Sequence, residues 1–342
     1  MANVLITGVT GMVGSHLLDF LILNTDWTIY GMSRWRSPKS NIQHHFNEQY
    51  FGKRFHLIEG DLLDYQSLSK CIENAQPDYI FHLAAQSFPT TSFQMPVNTL
   101  DINILGTARL LEVVKESEFD PWIHICSSSE IFGRVKQADL PIKEDNKFQP
   151  ASPYSISKIG TDLLSVFYAE AYGLKTIATR MFTHTGPRRG EVFVESAIAK
   201  QIALIEASKI PPVINVGNLD SLRTWADVRD AVRAYYMLLT INPIKGEIYN
   251  IGGTYSCSVR EMLQFLLSLS SYKSKIEVKI NPQLFRPLDA DLQIPDTSKF
   301  CSHTGWEPKF SFEKTMVDLL DYWRQSVLHQ NYVPYWPTTK RK

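Results

Sequence analysis

Asn3-Val4-Leu5-Ile6-Thr7-Gly8-Val9-Thr10-Gly11-Met12-Val13-Gly14 opens the chain with a β-rich apolar run that passes directly into three spaced glycines. Leu17, Leu18, Phe20 and Leu21 then recur at helical spacing. Strand, glycine loop and helix in that order predict the first unit of an α/β, Rossmann-type, doubly wound parallel sheet. The glycines allow a tight turn, close approach of the backbone to a pyrophosphate and close helix packing. The helix N-terminus adds positive potential for that anion.

Working outward, further strands are predicted at Thr28–Met32, Phe55–Leu62, Tyr79–Gln86 and Trp122–Cys126, with Thr176–Met181 and Glu247–Ile251 completing the sheet. The second strand runs into Ser33-Arg34-Trp35-Arg36-Ser37 where an acid would suit the ribose of NAD. Hydroxyl and guanidinium groups suit the 2′-phosphate of NADP instead, so NADP is favoured with NAD as the alternative. Arg34 and Arg36 could equally be solvated loop charges or contacts to a neighbouring subunit. Asp61, at the end of the third strand, offers a carboxylate to an adenine amino group. His82 reads as a core histidine, and Asn103, inside a helix predicted over Asn98–Glu116 with apolar face Ile102, Leu105, Leu110 and Val113, as an inward polar strut.

The fifth strand ends in Ser127-Ser128-Ser129-Glu130, at the edge of a parallel sheet where ligand chemistry collects. About twenty residues later comes Ala151-Ser152-Pro153-Tyr154-Ser155-Ile156-Ser157-Lys158. Ser152 suits an N-cap, Pro153 the first helical position and Gly173 the stop, with Ile159, Leu163, Leu164, Val166 and Phe167 as the apolar periodicity. Tyr154 and Lys158 therefore share a helix face. A phenol beside an ammonium is moved toward the working range of a general base, as proton removal from an alcohol requires. Alone, Tyr-x-x-x-Lys also describes an ordinary surface helix; the glycine loop and the Ser-Glu strand end give it meaning.

The composition bounds the class. The chain has 342 residues, 44% apolar and 20% charged, with 35 basic and 35 acidic side chains. Zero formal charge gives no reason to invoke nucleic acid or a membrane surface. Cys71, Cys126, Cys257 and Cys301 are scattered without metal-ligand or disulfide spacing, so no metal is expected and a reduced cytoplasmic setting fits. No signal peptide or spanning apolar run is read.

In this order the motifs resemble the extended short-chain dehydrogenase/reductases that act on nucleotide sugars, from the N-terminus to about Leu320. The likeness is greatest to the GDP-mannose 4,6-dehydratases, with the GDP-4-keto-6-deoxymannose reductases second. It is carried further by Pro187-Arg188-Arg189-Gly190-Glu191-Val192-Phe193-Val194, by Val216 to Trp225 with Asp227-Val228-Arg229-Asp230, and by Arg286-Pro287-Leu288-Asp289-Ala290-Asp291-Leu292. Departures are Ser128 for the dehydratases' usual Thr, Thr183-His184 for their Asn-His, Thr185-Gly186 as in the reductases, and Thr224 for an expected Asp.

The resemblance implies catalysis by Ser128, Glu130, Tyr154 and Lys158. It implies cofactor contacts at Gly8, Thr10, Gly11, Met12, Val13, Arg34, Ser37, Asp61, Leu62, Leu83, Ala84, Ala85, His184 and Arg189, besides Tyr154 and Lys158. Substrate contacts are implied at Ser87, Phe193, Val194, Lys200, Gly217, Asn218, Arg223, Arg286 and Asp289. Independently, a sugar diphosphate needs fixed cations, and Arg223 and Arg286 supply bidentate ones.

The expected protein is a homodimer or homotetramer that dehydrates GDP-mannose or a close GDP-manno-sugar with internal hydride transfer. A GDP-4-keto-6-deoxymannose reductase, a 4-epimerase and a silent nucleotide-sugar or NADP sensor are the alternatives. The cofactor domain is predicted to be discontinuous, 1–184 plus 247–253. A smaller, mainly C-terminal substrate-binding domain takes 185–246 plus 254–330, and a tail takes 331–342.

Overall fold

The computed structural model describes residues 1–329; the predicted tail, with Tyr335-Trp336-Pro337, lies outside the described residues. The first six strands are β1 (Asn3–Thr7), β2 (Thr28–Ser33), β3 (Phe55–Glu59), β4 (Tyr79–His82), β5 (Trp122–Cys126) and β6 (Thr176–Met181). After them come β7 (His184–Thr185), β8 (Val213–Val216), β9 (Leu222–Asp227), β10 (Ile248–Ile251), β11 (Tyr255–Ser258), β12 (Glu277–Ile280) and β13 (Leu292–Gln293).

Seven of these form one parallel sheet in the order β10-β6-β5-β4-β1-β2-β3. Strand order reverses between β1 and β4, and the crevice beyond their C-terminal ends is where such sheets take ligands. Both faces are covered, so the strands read as continuous apolar runs: Val4, Leu5 and Ile6 are all fully buried.

One core cluster joins the sheet to helices Met12–Asn24 and Val228–Thr240, through Leu17, Leu18, Leu21, Tyr235 and Leu238. The Val228–Thr240 helix falls in the span assigned from sequence to the substrate part, yet it covers the dinucleotide sheet, as do Phe300 and Trp306. The opposite face packs on helices Tyr65–Ala75 and Gly106–Glu116. A second core, built from Ile198, Ile202, Trp225, Met262, Leu266, Met316 and Leu320, lies over the C-terminal ends of the strands, with β11-β9-β13, β7 beside β9, and the β12-β8 pair as its small sheets.

The helix predicted over Asn98–Glu116 is three segments, Pro96–Leu100, a π-turn Asp101–Leu105, and Gly106–Glu116. Leu105, placed on the apolar face by periodicity, is exposed because the π-turn rotates it outward, while Asn103 turns in. Asn103 accepts from the Gln86 N–H at 2.8 Å and donates to the Ser157 hydroxyl at 2.8 Å. Its carbonyl, released from the regular ladder, accepts from Thr107 and Thr161.

Helix Pro153–Tyr172 begins and ends as predicted, with a Ser152/Ser155 capping box, Pro153 in the first turn and Gly173 at φ 78°. Its buried face is not the apolar one, however. Ser155, Ser157, Thr161, Asp162 and Ser165 face inward, and Ile156, Leu163 and Phe167 are exposed. Most of these polar groups are bonded, above all through a buried Asp162–Arg180 pair at 2.7 and 3.1 Å that ties the helix to β6, while the Ser165 hydroxyl has no partner among the described residues.

Candidate active site

The glycine loop is shaped for close approach. Gly8 adopts φ 74°, and a Cβ there would lie 2.9 Å from the Ala84 backbone; one on Gly14 would lie 2.4 Å from the Gly8 carbonyl. Thr7 stitches the two strand ends together, its hydroxyl accepting from the N–H groups of Leu83 and Ala84 and bonding His82 at 2.9 Å. His82 is thus a satisfied core histidine, bonded also to Thr107.

From this crevice a cavity of about 740 Å³ runs across the strand ends. Its walls include Gly8, Thr10, Gly11, Met12 and Val13, Arg34 and Ser37, Asp61 and Leu62, and Leu83, Ala84 and Ala85. Ser128, Glu130, Tyr154 and Lys158 line its middle, and His184, Arg189, Ser87, Phe193, Val194, Arg223 and Arg286 continue it. Residues separated by more than two hundred positions therefore meet in one cleft.

Each catalytic candidate has a local reason for its place. Ser128 is the N-cap of the short turn Ser129–Ile131, accepting from the Glu130 N–H at 3.2 Å, and it hydrogen bonds to the Tyr154 hydroxyl. The Tyr154 N–H donates to the Ser92 hydroxyl at 3.0 Å, which fixes the first helical turn. Lys158 donates to the Cys126 carbonyl at 2.6 Å.

Burial pushes the Tyr154 phenol above its ordinary pKa; the Ser128 hydrogen bond opposes this, the nearby Cys126 and Glu130 add to it, and the Arg189 guanidinium opposes it again. Lys158 lies one helical turn after Tyr154 and turns its side chain to the end of β5. The ammonium is committed to a carbonyl, and burial lowers its own pKa. Burial likewise brings His184 down to about 4, helped by Arg189, so it stands neutral with Nδ1 3.1 Å from the Phe182 carbonyl.

Glu130 faces two cations, with its Oε1 3.8 Å from Arg223 Nη1 and 3.6 Å from Arg286 Nη1. Asp289 meets both guanidiniums at 3.3 Å. Arg189 lies 3.4 Å over the Phe193 ring and pairs with Glu195 at 2.9 Å.

Four of the predicted substrate residues do not line the cavity. Lys200 is engaged by Glu191 and sits over the Trp323 ring. Gly217 serves a chain crossing, since a Cβ there would meet the Leu284 carbonyl at 2.9 Å. Asn218 braces its own loop through Ser221 and Asp220, and Asp289 holds the arginines. Thr224, the departure from an expected Asp, bonds Ser256 at 2.6 Å.

Comparison with known proteins decides the lineage. A family model described as GDP-mannose 4,6 dehydratase matches residues 5–319. This chain belongs to that family. It is 31% identical to the GDP-mannose 4,6-dehydratase of Yersinia enterocolitica, over 94% of this chain and 93% of the relative. With GDP-mannose 4,6 dehydratase 1 of Arabidopsis thaliana it shares 34% identity over 93% and 88% of the two chains. Among solved structures it resembles RMD from Pseudomonas aeruginosa complexed with NADPH, at TM-score 0.79 and 27% identity over 95% and 99% of the chains. It also resembles UDP-glucose 4-epimerase from Thermotoga maritima with UDP-glucose, at TM-score 0.82 and 26% identity over 95% and 99%. The fold and its relatives mark a nicotinamide-dinucleotide site.

Sequence reasoning missed Asp19. Its carboxylate takes His44, His45 and Arg188 at 3.0, 2.8 and 2.7 Å, pinning the segment after β2 and the Arg188-Arg189 turn to the glycine-loop helix. Burial opposes its ionisation, but the His45 hydrogen bond and Arg188 outweigh it and bring Asp19 down to about 2. The paired histidines at 44 and 45 were the available signal.

Proposed function

We propose that this protein is a GDP-mannose 4,6-dehydratase that converts GDP-mannose, or a close GDP-manno-sugar, to the 4-keto-6-deoxy sugar. The observation that carries the reading is the middle of the cleft: a phenol bonded to a serine and, two residues after that serine, a carboxylate facing two arginines. An alcohol oxidation needs the first pair, and removal of a proton from carbon needs the second carboxylate.

Tyr154, held by Ser128, takes the proton of the C4 hydroxyl as the C4–H bond is broken. Lys158 keeps the strand end and the helix in register. The resulting 4-ketone acidifies C5–H, and Glu130 removes that proton and passes it to the C6 hydroxyl, which leaves as water as the C6–O bond breaks. The hydride then arrives at C6 and a proton returns to C5, so no outside reductant is consumed. A bound nicotinamide dinucleotide supplies the two-electron acceptor that takes this hydride and gives it back. Arg223 and Arg286 anchor the diphosphate, and Arg34 with Ser37 selects NADP through its 2′-phosphate.

A two-part organisation supports this assignment, with the cofactor on the sheet and the nucleotide sugar under the second core. A homo-oligomer is supported by the side-by-side helices 96–116 and Pro153–Tyr172, which leave Val97, Leu105, Ile156, Leu163 and Phe167 exposed. The test is incubation with GDP-mannose and catalytic NADP⁺, without reduced cofactor. The expected product is a 4-keto sugar with its alkaline absorbance. Absence of product, with NADPH consumed only when a keto sugar is supplied, would make the protein a reductase instead.

A further inference from the structure

We propose that Arg223 and Arg286 lock Glu130 until a nucleotide diphosphate arrives, so that the group anchoring the substrate also releases the base that acts on its sugar. This rests on Glu130 being the base at C5. Arg223 projects from β9 and Arg286 from the loop before β13, so two separate segments converge on one carboxylate.

The four side chains form a closed set of two cations and two anions, each 11–22% exposed. The two carboxylates are held differently. Asp289 is within hydrogen-bonding distance of both guanidiniums at 3.3 Å and also accepts from the Ala290 N–H at 3.0 Å. Glu130 stands at 3.6 and 3.8 Å, an ion pair without a hydrogen bond, and among the described residues no donor is bonded to its carboxylate. Asp289 is thus the fixed partner and Glu130 the exchangeable one.

A diphosphate brings several anionic oxygens to the same guanidinium N–H groups, where charge-assisted bidentate bonds outcompete a loose ion pair. Once the arginines turn to phosphate, the Glu130 carboxylate is released from its counter-ions, and its lone pair is left for the sugar. Binding energy from a remote part of the substrate is thereby used at the reacting carbon. A sugar lacking the diphosphate would leave the lock closed.

The test uses GDP, which carries the diphosphate and no sugar, as the calorimetric probe of the full chain. Glu130→Gln removes the competitor and is expected to tighten GDP binding roughly three- to tenfold. In an Arg286→Gln background the same change is expected to give a clearly smaller gain. That dependence separates a lock acting through the arginine from plain repulsion between Glu130 and phosphate. Glu130→Ala, with its melting temperature measured alongside, must reproduce the sign, so that misfolding of one variant cannot decide the result. Unchanged or weaker GDP binding in the folded variants, or an equal gain without Arg286, would overturn the lock. Failure of the unmodified protein to bind GDP would remove both the lock and the functional reading beneath it.

Discussion

The Lys158 ammonium donates to the Cys126 carbonyl at 2.6 Å, and with the Ser127 hydroxyl donating to the Lys158 carbonyl at 3.3 Å it ties the helix that carries Tyr154 to the strand end that leads into Ser128 and Glu130. Replacing Lys158 with Met leaves a buried carbonyl unpaired, at a cost of about 1–3 kcal/mol in stability. It also frees Ser128 to drift from the phenol. Thermal melting should show the loss, and steady-state kinetics should show kcat falling far more than KM rises. An unchanged kcat would remove Lys158 from the catalytic assembly.

Arg34 lies at the end of β2 in an exposed turn that still lines the cleft. Arg34→Ala should weaken NADP⁺ by about 10- to 100-fold, the worth of a charge-assisted hydrogen bond, while NAD⁺ binding changes little. Fluorescence titration of both dinucleotides measures the ratio. Equal losses for the two would show that Arg34 does not read the 2′-phosphate.

Asp162 and Arg180 are both essentially buried, and Arg180 also donates to the Glu144 carbonyl. Removing one partner strands the other, which typically costs about 3–5 kcal/mol. Arg180→Met should therefore lower the urea midpoint sharply, and the Asp162→Leu/Arg180→Met double variant should recover part of it. A double variant as weak as the sum of the singles would mean that the two do not act as a pair.

Stability should fall on mild acidification. Burial brings His82 and His124 down from 6.5 to about 3, and His16 and His184 to about 4. The unfolded chain therefore binds more protons than the folded one below pH 6.5. The full stability contribution is present above that value and is lost as pH drops toward 4. Each fully buried histidine weakens the fold by up to about 1.4 kcal/mol per pH unit in that window. Urea unfolding at pH 7, 5.5 and 4.5 measures the slope, and His82→Gln should reduce it. A flat profile would contradict the neutral buried histidines.

The sheet was legible because buried parallel strands are continuous apolar runs and because Gly8, Gly11 and Gly14 mark the turn after the first. The start of the Tyr154 helix was legible in Ser152-Pro153, whose capping chemistry is local. Its orientation was not, since the inward face is polar and Ser157 and Asp162 find partners distant in sequence, Asn103 and Arg180. The same limit hid the Val228–Thr240 helix, whose apolar stripe says that it packs but not on which layer. Lys200, Gly217 and Asn218 were placed by likeness to relatives, and local bracing explains their positions here. Nothing in the spacing of Glu130, Arg223, Arg286 and Asp289 announces that they meet, because only the closure of the second core brings them together.

The most direct measurement follows one hydrogen. GDP-mannose carrying deuterium at C4 is incubated with the protein and catalytic NADP⁺, and the product is examined by NMR. Tyr154 and Glu130 acting on one bound sugar predict that the label appears at C6 of the 4-keto-6-deoxy product with no external reductant. Release of the label to a reduced cofactor in solution, or turnover without deuterium at C6, would contradict the account.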